Sequence, residues 1–410
     1  MQDKDTNSSL AAIFESIEIP DTAYDRAEKR YEDLGEWFGR PESTIKDNDP
    51  KVFSQGSFLL GTVSQPPHRD GEYDLDLGVK LRSGVSKKTH TQKELKTAVG
   101  EELERYRRAR GIQDSLDEKQ RCWRLEYQDD LSFHMDVVPC IPEDERQRRM
   151  IKEAMLSADS EEDLADEVSN LTVAITDTEQ ANYEEISADW NISNPQGYGR
   201  WFASRVRLAE QTVSMMEKRA EVEELPTYKL KAPLQRCVQV LKLHRNVMFE
   251  DDPDRAPISI IITTLAARAY EGQEDVDEAL LHVLDTMGEH VNDERPRVPN
   301  PVNPGTGSRG EDFADKWYTE EGRALGLEKN FWRWLYQARA DFNQMAELQD
   351  ADDLAKRAEE SLGVPLDVSS IQRQLGQSSA AGIITATETQ GPEDSPKTNI
   401  ESPPEPWATW

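Results

Sequence analysis

The chain has 410 residues, and its 49 lysines and arginines against 80 aspartates and glutamates leave a formal net charge of −31. So negative a molecule repels polyanions, which excludes sequence-independent binding of long DNA or RNA but leaves room for a small nucleotide in a locally positive pocket. Cys122, Cys140 and Cys237 form no CxxC pair, MQDKDTNSSL has no apolar leader, and no apolar span reaches 18 residues; the expectation is a soluble cytoplasmic protein without membrane contact, large enough for two lobes.

In chain order, residues 8–39 carry helical periodicity, with Leu10, Ile13, Phe14 and Ile17 on one stripe and Asp21 as an N-cap candidate. QGSFLLGT reads as a Gly-Ser pair opening a short apolar helix. From Tyr73 the alternation of Tyr73, Leu75, Leu77 and Val79 against Asp74 and Asp76 reads as a half-buried strand, so both aspartates share its polar side. An amphipathic helix follows, ending at Gly111. RCWRLEYQ and LSFHMDVVPCI read as two strands of a hairpin turning at Asp129 and Asp130, which places Asp136 and His134 on one strand face.

Residues 143–190 are acidic and read as a helix plus a surface insertion. Helical spacing then returns over 197–220, 233–249, 257–270, 274–290, 312–325 and 328–348, with Pro233 and Pro257 where first-turn prolines belong. Past Gly376 a Ser/Thr/Gly/Pro-rich stretch predicts a flexible tail. Its Trp407 and Trp410 suggest a peptide docked on a protein partner, or folded back on its own lobe.

An acidic-x-acidic pair is weak by itself, because a chain this acidic yields roughly fifteen by chance. Order supplies the specificity: a Gly-Ser pair and short helix, then Asp74-x-Asp76 on an alternating strand, then Asp136 on a second one. That is the donor set of two-metal phosphoryl chemistry, in which carboxylates and substrate phosphates share two Mg²⁺ ions about 3.5–4 Å apart. Gly56 and Ser57 at a helix N-terminus would offer backbone N–H groups to phosphates. The basic residues clustered after the aspartates (Lys80, Arg82, Lys87, Lys88, Lys93, Lys96 and four arginines between 105 and 110) need only a minority facing a cleft. The six histidines are scattered without zinc spacing, and only His134 is placed to support Asp136.

With these motifs the chain resembles the nucleotidyltransferases of the DNA polymerase β superfamily. More narrowly, it resembles the CD-NTases, the bacterial relatives of cyclic GMP-AMP synthase and oligoadenylate synthase found in anti-phage (CBASS) signalling operons. QGSFLLGT, EYDLDLGV, FHMDVVP, LQRCVQVLKLHRNVMF, APISIIITTLAARAY and VNPGTGSRGEDFADKW carry the resemblance, from about residue 10 to 350. It implies an α+β fold: a polymerase β-like nucleotidyltransferase core, a mixed sheet with flanking helices, packed against a helical C-terminal lobe with the active-site cleft between them. The expected division is 1–195 for the core with its N-terminal helices, 196–370 for the helical lobe and 371–410 for the tail.

The resemblance further implies that Asp74, Asp76 and Asp136 are catalytic and hold two Mg²⁺, with Mn²⁺ able to substitute, and that Asp136 takes the proton of the attacking hydroxyl. Gln55, Gly56, Ser57, Lys242 and Ser259 would bind the nucleotide. On spacing alone, Lys242 reads equally well as a solvated helix residue and Ser259 as a plain first-turn serine. Glu311 and Asp312 are expected to cap a first helical turn.

The implied activity is synthesis of a cyclic di- or trinucleotide from NTPs, ATP first, with GTP and pyrimidine NTPs open, for a downstream effector that the product activates. Transfer of a nucleotide to tRNA or to a protein hydroxyl is the alternative within the superfamily. A non-catalytic nucleotide-sensing module is the alternative outside enzymes.

Overall fold

A computed structural model of the chain describes residues 10, 13, 14, 17–64, 73–127, 133–207, 231–304 and 310–374. The tail reading and both turn aspartates of the hairpin lie outside them.

The first half builds a seven-stranded mixed sheet. Helix α1 (Asp21–Gly39) leads into β1 (Pro50–Ser54), the short α2 (Gly56–Leu60) and β2 (Tyr73–Leu81). Next come α3 (Gln92–Arg110), β3 (Asp117–Glu118), β4 (Trp123–Tyr127) and β5 (Phe133–Pro142). The order is β1-β2-β5-β4-β3, and only β2 and β5 run parallel. Helix α3 starts where a capping box allows: the Thr91 side chain accepts from Glu94 N while Glu94 reaches back to the Thr91 N–H, and Gly111 closes the helix at φ 68°. Asp21 is the first residue of α1 rather than its cap, which is Pro20.

One face of the sheet is apolar because the strands alternate. Leu75, Leu77, Val79, Met135 and Val137 are fully buried there, against Ala23, Ala27 and Leu34 of α1 and Leu95, Val99 and Leu103 of α3. The opposite face carries the polar residues of the same strands.

The stretch read as a helix plus insertion is more regular than its composition suggests. Helices α4 (Glu145–Ser157) and α5 (Glu162–Leu171) lead into β6 (Val173–Ile175), which pairs with the far half of β5, and β7 (Asn191–Ser193) pairs with β6. Strand β6 escapes a sequence reading because three consecutive buried residues carry no period.

The second half is helical: α6 (Pro195–Val206), α7 (Pro233–Met248), α8 (Ser259–Ala269), α9 (Val276–Thr286), α10 (Glu320–Leu325), α11 (Leu327–Glu347), α12 (Ala351–Leu362) and α13 (Val368–Gln374). Pro233 occupies the first turn of α7 as expected, whereas Pro257 precedes α8, whose cap is Ile258. The single helix expected over 312–325 is instead a 3₁₀ turn, Asp315–Tyr318, and then α10, because the Thr319 hydroxyl caps a new helix by accepting from Gly322 N. Helices α12 and α13 were not read from the sequence.

The core of this lobe also takes in Leu10, Ile13, Phe14 and Ile17, and Ile151, Met155, Ala165 and Val168 of α4 and α5. These residues lie on the other side of the division expected at residue 195. Among the described residues no helix is long and apolar enough to cross a membrane.

Candidate active site

The polar face of the sheet gathers charge through register. Strands β2 and β5 pair with Asp76 opposite Asp136 and Asp74 opposite His134. Neighbouring strands lie about 4.8 Å apart, so the in-register carboxylates of Asp76 and Asp136 are side by side. On the other flank β4 runs antiparallel and sets Arg124 opposite Asp136 and Glu126 opposite His134. Arg124 grips Asp136 with two parallel bonds, Nε to Oδ1 and Nη2 to Oδ2, each 2.7 Å. His134 Nδ1 stands 3.8 Å from Glu126.

Burial, reinforced by the neighbouring Asp74 and Asp136 charges, pushes the Asp76 carboxyl up to about 6. Lys242 and Arg124 oppose that shift. The Cys122 thiol is pushed up to about 12, first by burial and then by Asp136.

The Gly-Ser loop is fastened to this strand. Gln55 is the N-cap of α2, its N–H donates to Asp76 O at 2.9 Å, and its side-chain Nε2 donates to Leu77 O at 3.2 Å. Gly56 adopts φ 64°, and an added Cβ there would collide with the Asp76 carboxylate. Both facts favour glycine: the left-handed backbone is open to it, and the approach leaves no room for a side chain. Ser57 holds the end of the loop, its carbonyl accepting from Thr62 N at 2.9 Å.

Helix α7 reaches the same loop from the other lobe. Gln235 Nε2 donates to Leu60 O at 2.9 Å, Lys242 Nζ to Thr62 O at 3.0 Å, and Gln239 Nε2 to Val63 O. The spacing 235, 239, 242 is one face of a helix. Burial and the nearby Arg245 lower the Lys242 ammonium to about 8, against the pull of Asp76 and Asp74.

Ser259 opens α8, and its hydroxyl accepts from Arg245 Nη2 at 2.9 Å. Asp312 and Glu311 do not cap an α-helix. Asp312 accepts from the backbone N–H groups of Arg297, Val298 and Ala314, and Glu311 from Asn300 Nδ2, tying two loop segments together. A cavity of about 190 Å³ opens beside the Gly-Ser loop, lined by Gly56, Leu59, Tyr198, Asn300, Glu311 and Phe313.

Most of the clustered basic residues serve the surface. Arg105, Arg107 and Arg108 pair with glutamates of their own helix, and Arg110 pairs with Asp33 of α1. Lys80 shares the polar face of β2 with the aspartates, and its Nζ donates to Gln196 Oε1 at 3.2 Å.

The residues suit a divalent cation by donor chemistry: three carboxylates on one face, one of them resisting ionisation first because it is buried and then because of the other two charges. They are not gathered into a ready cage. Among the described residues no group of three or more Asp, Glu, His or Cys side chains stands close enough to hold an ion, and both oxygens of Asp136 are on Arg124.

Sequence reasoning missed Arg124, Gln235 and Gln239. RCWRLEYQ reads as a strand, but only the register of its pairing shows that Arg124 meets Asp136.

The family described as cyclic GMP-AMP synthase DncV-like, nucleotidyltransferase domain, matches residues 50–139. A c-di-GMP synthase of Roseivirga ehrenbergii is 31% identical over 313 residues, spanning 75% of this chain and 72% of the relative. The cyclic dinucleotide synthase CdnG of Bradyrhizobium diazoefficiens is 23% identical over 327 residues, 75% of this chain and 69% of its own. In fold, the chain is similar to the solved structure of the B. diazoefficiens CD-NTase CdnG in complex with GTP, with a TM-score of 0.59 over 90% of this chain and 98% of the other, at 19% identity. A weaker likeness, TM-score 0.50 at 14% identity over 80% and 73% of the two chains, is to Vibrio cholerae DncV cyclic AMP-GMP synthase with a linear intermediate.

Proposed function

Because the chain belongs to the CD-NTases, a family of nucleotidyltransferases, we propose that it joins NTPs into a cyclic di- or trinucleotide with release of pyrophosphate. The observation that carries this reading is the pairing of Asp76 with Asp136 on adjacent parallel strands, with the Gly-Ser loop fastened to Asp76 itself. The 31% identical relative is named a c-di-GMP synthase and the 23% identical one a cyclic dinucleotide synthase, so GTP is the first substrate to test beside ATP. The product would serve as a second messenger in anti-phage signalling, read by a downstream effector.

Asp74, Asp76 and Asp136 would hold the divalent cations, two Mg²⁺ in this reading. Bound there, the cations would supply Lewis-acid stabilisation of the attacking and leaving oxygens of an in-line displacement. The remaining work falls to the chain. Gly56 and Ser57 present the start of α2 to the triphosphate, and Lys242, charged at neutral pH, adds positive charge beside it. A ribose hydroxyl attacks the α-phosphorus of a second nucleotide, the bond from that phosphorus to the β-phosphate oxygen breaks, and Asp136 Oδ takes the hydroxyl proton. A second round with the roles exchanged closes the ring.

The test is incubation with labelled NTPs, singly and in pairs, with Mg²⁺. The expected product is a small phosphatase-resistant nucleotide accompanied by pyrophosphate, lost in Asp76→Asn and Asp136→Asn. Label found only on tRNA or protein, or nucleotide bound without pyrophosphate release, would overturn the reading.

A further inference from the structure

Asp136 is the one of the three carboxylates with an ion pair among the described residues, and that pair is a fork on a fork. Arg124 stands directly opposite it across the antiparallel β4–β5 pair and covers both of its oxygens at 2.7 Å. A bidentate guanidinium-carboxylate pair is among the stronger charge-assisted contacts, and it takes one lone pair of each oxygen while neutralising the carboxylate charge. The other neighbour of Asp136 in the register is Asp76, so its carboxylate lies between a cation already in place and a carboxylate that needs one. Arg124 and Asp136 side chains keep 28% and 21% of their exposure, which leaves the guanidinium free to swing away without breaking the core.

We infer that Arg124 is a clasp that competes with the divalent cation for Asp136, so that loading the third carboxylate requires ligand exchange rather than simple docking. The inference rests on the carboxylate reading proposed above. Arg124 touches no reacting atom and acts through Asp136: it is a positioning residue. It holds Asp136 in line with Asp76 and neutralises it until a cation arrives at Asp74 and Asp76. Asp74 and Asp76 would then bind first, and Asp136 would complete the site last, when the cation outweighs the guanidinium. A clasp of this kind keeps the proton acceptor unavailable until the remainder of the site is filled.

The test uses the full chain and Mn²⁺ alone, with free Mn²⁺ read by electron paramagnetic resonance. Arg124→Lys preserves the charge and loses the fork; Arg124→Gln loses both. The clasp predicts that Arg124→Lys tightens Mn²⁺ binding about fivefold or more, the scale of an ordinary coupling between two sites, and that Arg124→Gln tightens it further. In an Asp136→Asn background the difference between arginine and lysine should vanish, since nothing remains to be clasped. Affinity in Arg124→Lys equal to that of the unaltered protein would overturn the inference, because charge alone would then account for Arg124. Asp76→Asn tests the reading underneath. If it binds Mn²⁺ like the unaltered protein, the carboxylate site itself is wrong and the clasp falls with it; if it loses Mn²⁺ while the Arg124 variants are silent, only the clasp is wrong.

Discussion

The backbone of Gly56 passes so close to Asp76 that a Cβ added to the glycine would lie 2.9 Å from the Asp76 Cγ and nearer still to a carboxylate oxygen. The Gly-Ser loop and the second aspartate of the DLD stretch are therefore one packed unit. Gly56→Ala should strain a left-handed backbone (φ 64°) and displace Asp76 together. The expected result is a loss of about 1–3 kcal/mol of stability, seen in thermal melts, and a fall in kcat larger than any change in nucleotide affinity measured by calorimetry.

Asp76 itself opposes folding at neutral pH. Its carboxyl is pushed from 3.8 up to about 6, so between those values the folded state holds a proton the unfolded chain has lost. Stability from this group is full below about 4, declines as pH rises to about 6, and stays reduced above it. Asp76→Asn should accordingly raise stability by about 1–3 kcal/mol at pH 7.5 in chelator, an advantage that disappears by pH 4. Added Mg²⁺ should stabilise the unaltered protein and not the variant. Melting curves in chelator and in Mg²⁺ at the two pH values check both signs.

The same groups set a pH window for catalysis. Asp76 must be ionised to hold a cation and Lys242 protonated to meet a triphosphate, with ordinary ranges moved to about 6 and about 8. A plot of kcat/KM against pH should rise through about 6 and fall through about 8. In Lys242→Arg the alkaline limb should move beyond reach, since a guanidinium stays charged there, even if the absolute rate is lower. An alkaline limb unchanged in that variant would remove Lys242 from the assignment.

Gln239 is fully buried and gives its amide to Val63 O, while its own Oε1 finds no partner among the described residues. With Gln235 and Lys242 it links the helical lobe to the segment that follows the Gly-Ser helix. Gln239→Leu removes the donor and the unsatisfied oxygen together, so its net cost in global stability should stay near about 1 kcal/mol. The loop it holds should loosen more than the fold does. Hydrogen exchange should quicken at residues 60–63, and KM for NTP should rise several-fold with a smaller change in kcat.

Much of this protein was local and therefore readable. Alternation along Tyr73–Val79 and Phe133–Val138 placed Asp74, Asp76 and Asp136 on polar strand faces, because side-chain direction in a strand follows a period of two whatever the strand pairs with. The short helix after Gln55 and the helical character of the second half followed from equally local spacing. What lay beyond reach was who stands beside whom. That Asp76 meets Asp136 across a parallel pair, that Arg124 comes from β4 to hold Asp136, and that three side chains of α7 grip the carbonyls of residues 60–63 are all consequences of strand register and lobe packing. Those contacts join residues up to 180 positions apart, and no periodicity along the chain encodes the distance between two segments. A one-residue slip of β5 would have kept every propensity intact and turned Asp136 to the core; only burial of the whole apolar face at once selects the register that brings the charges together.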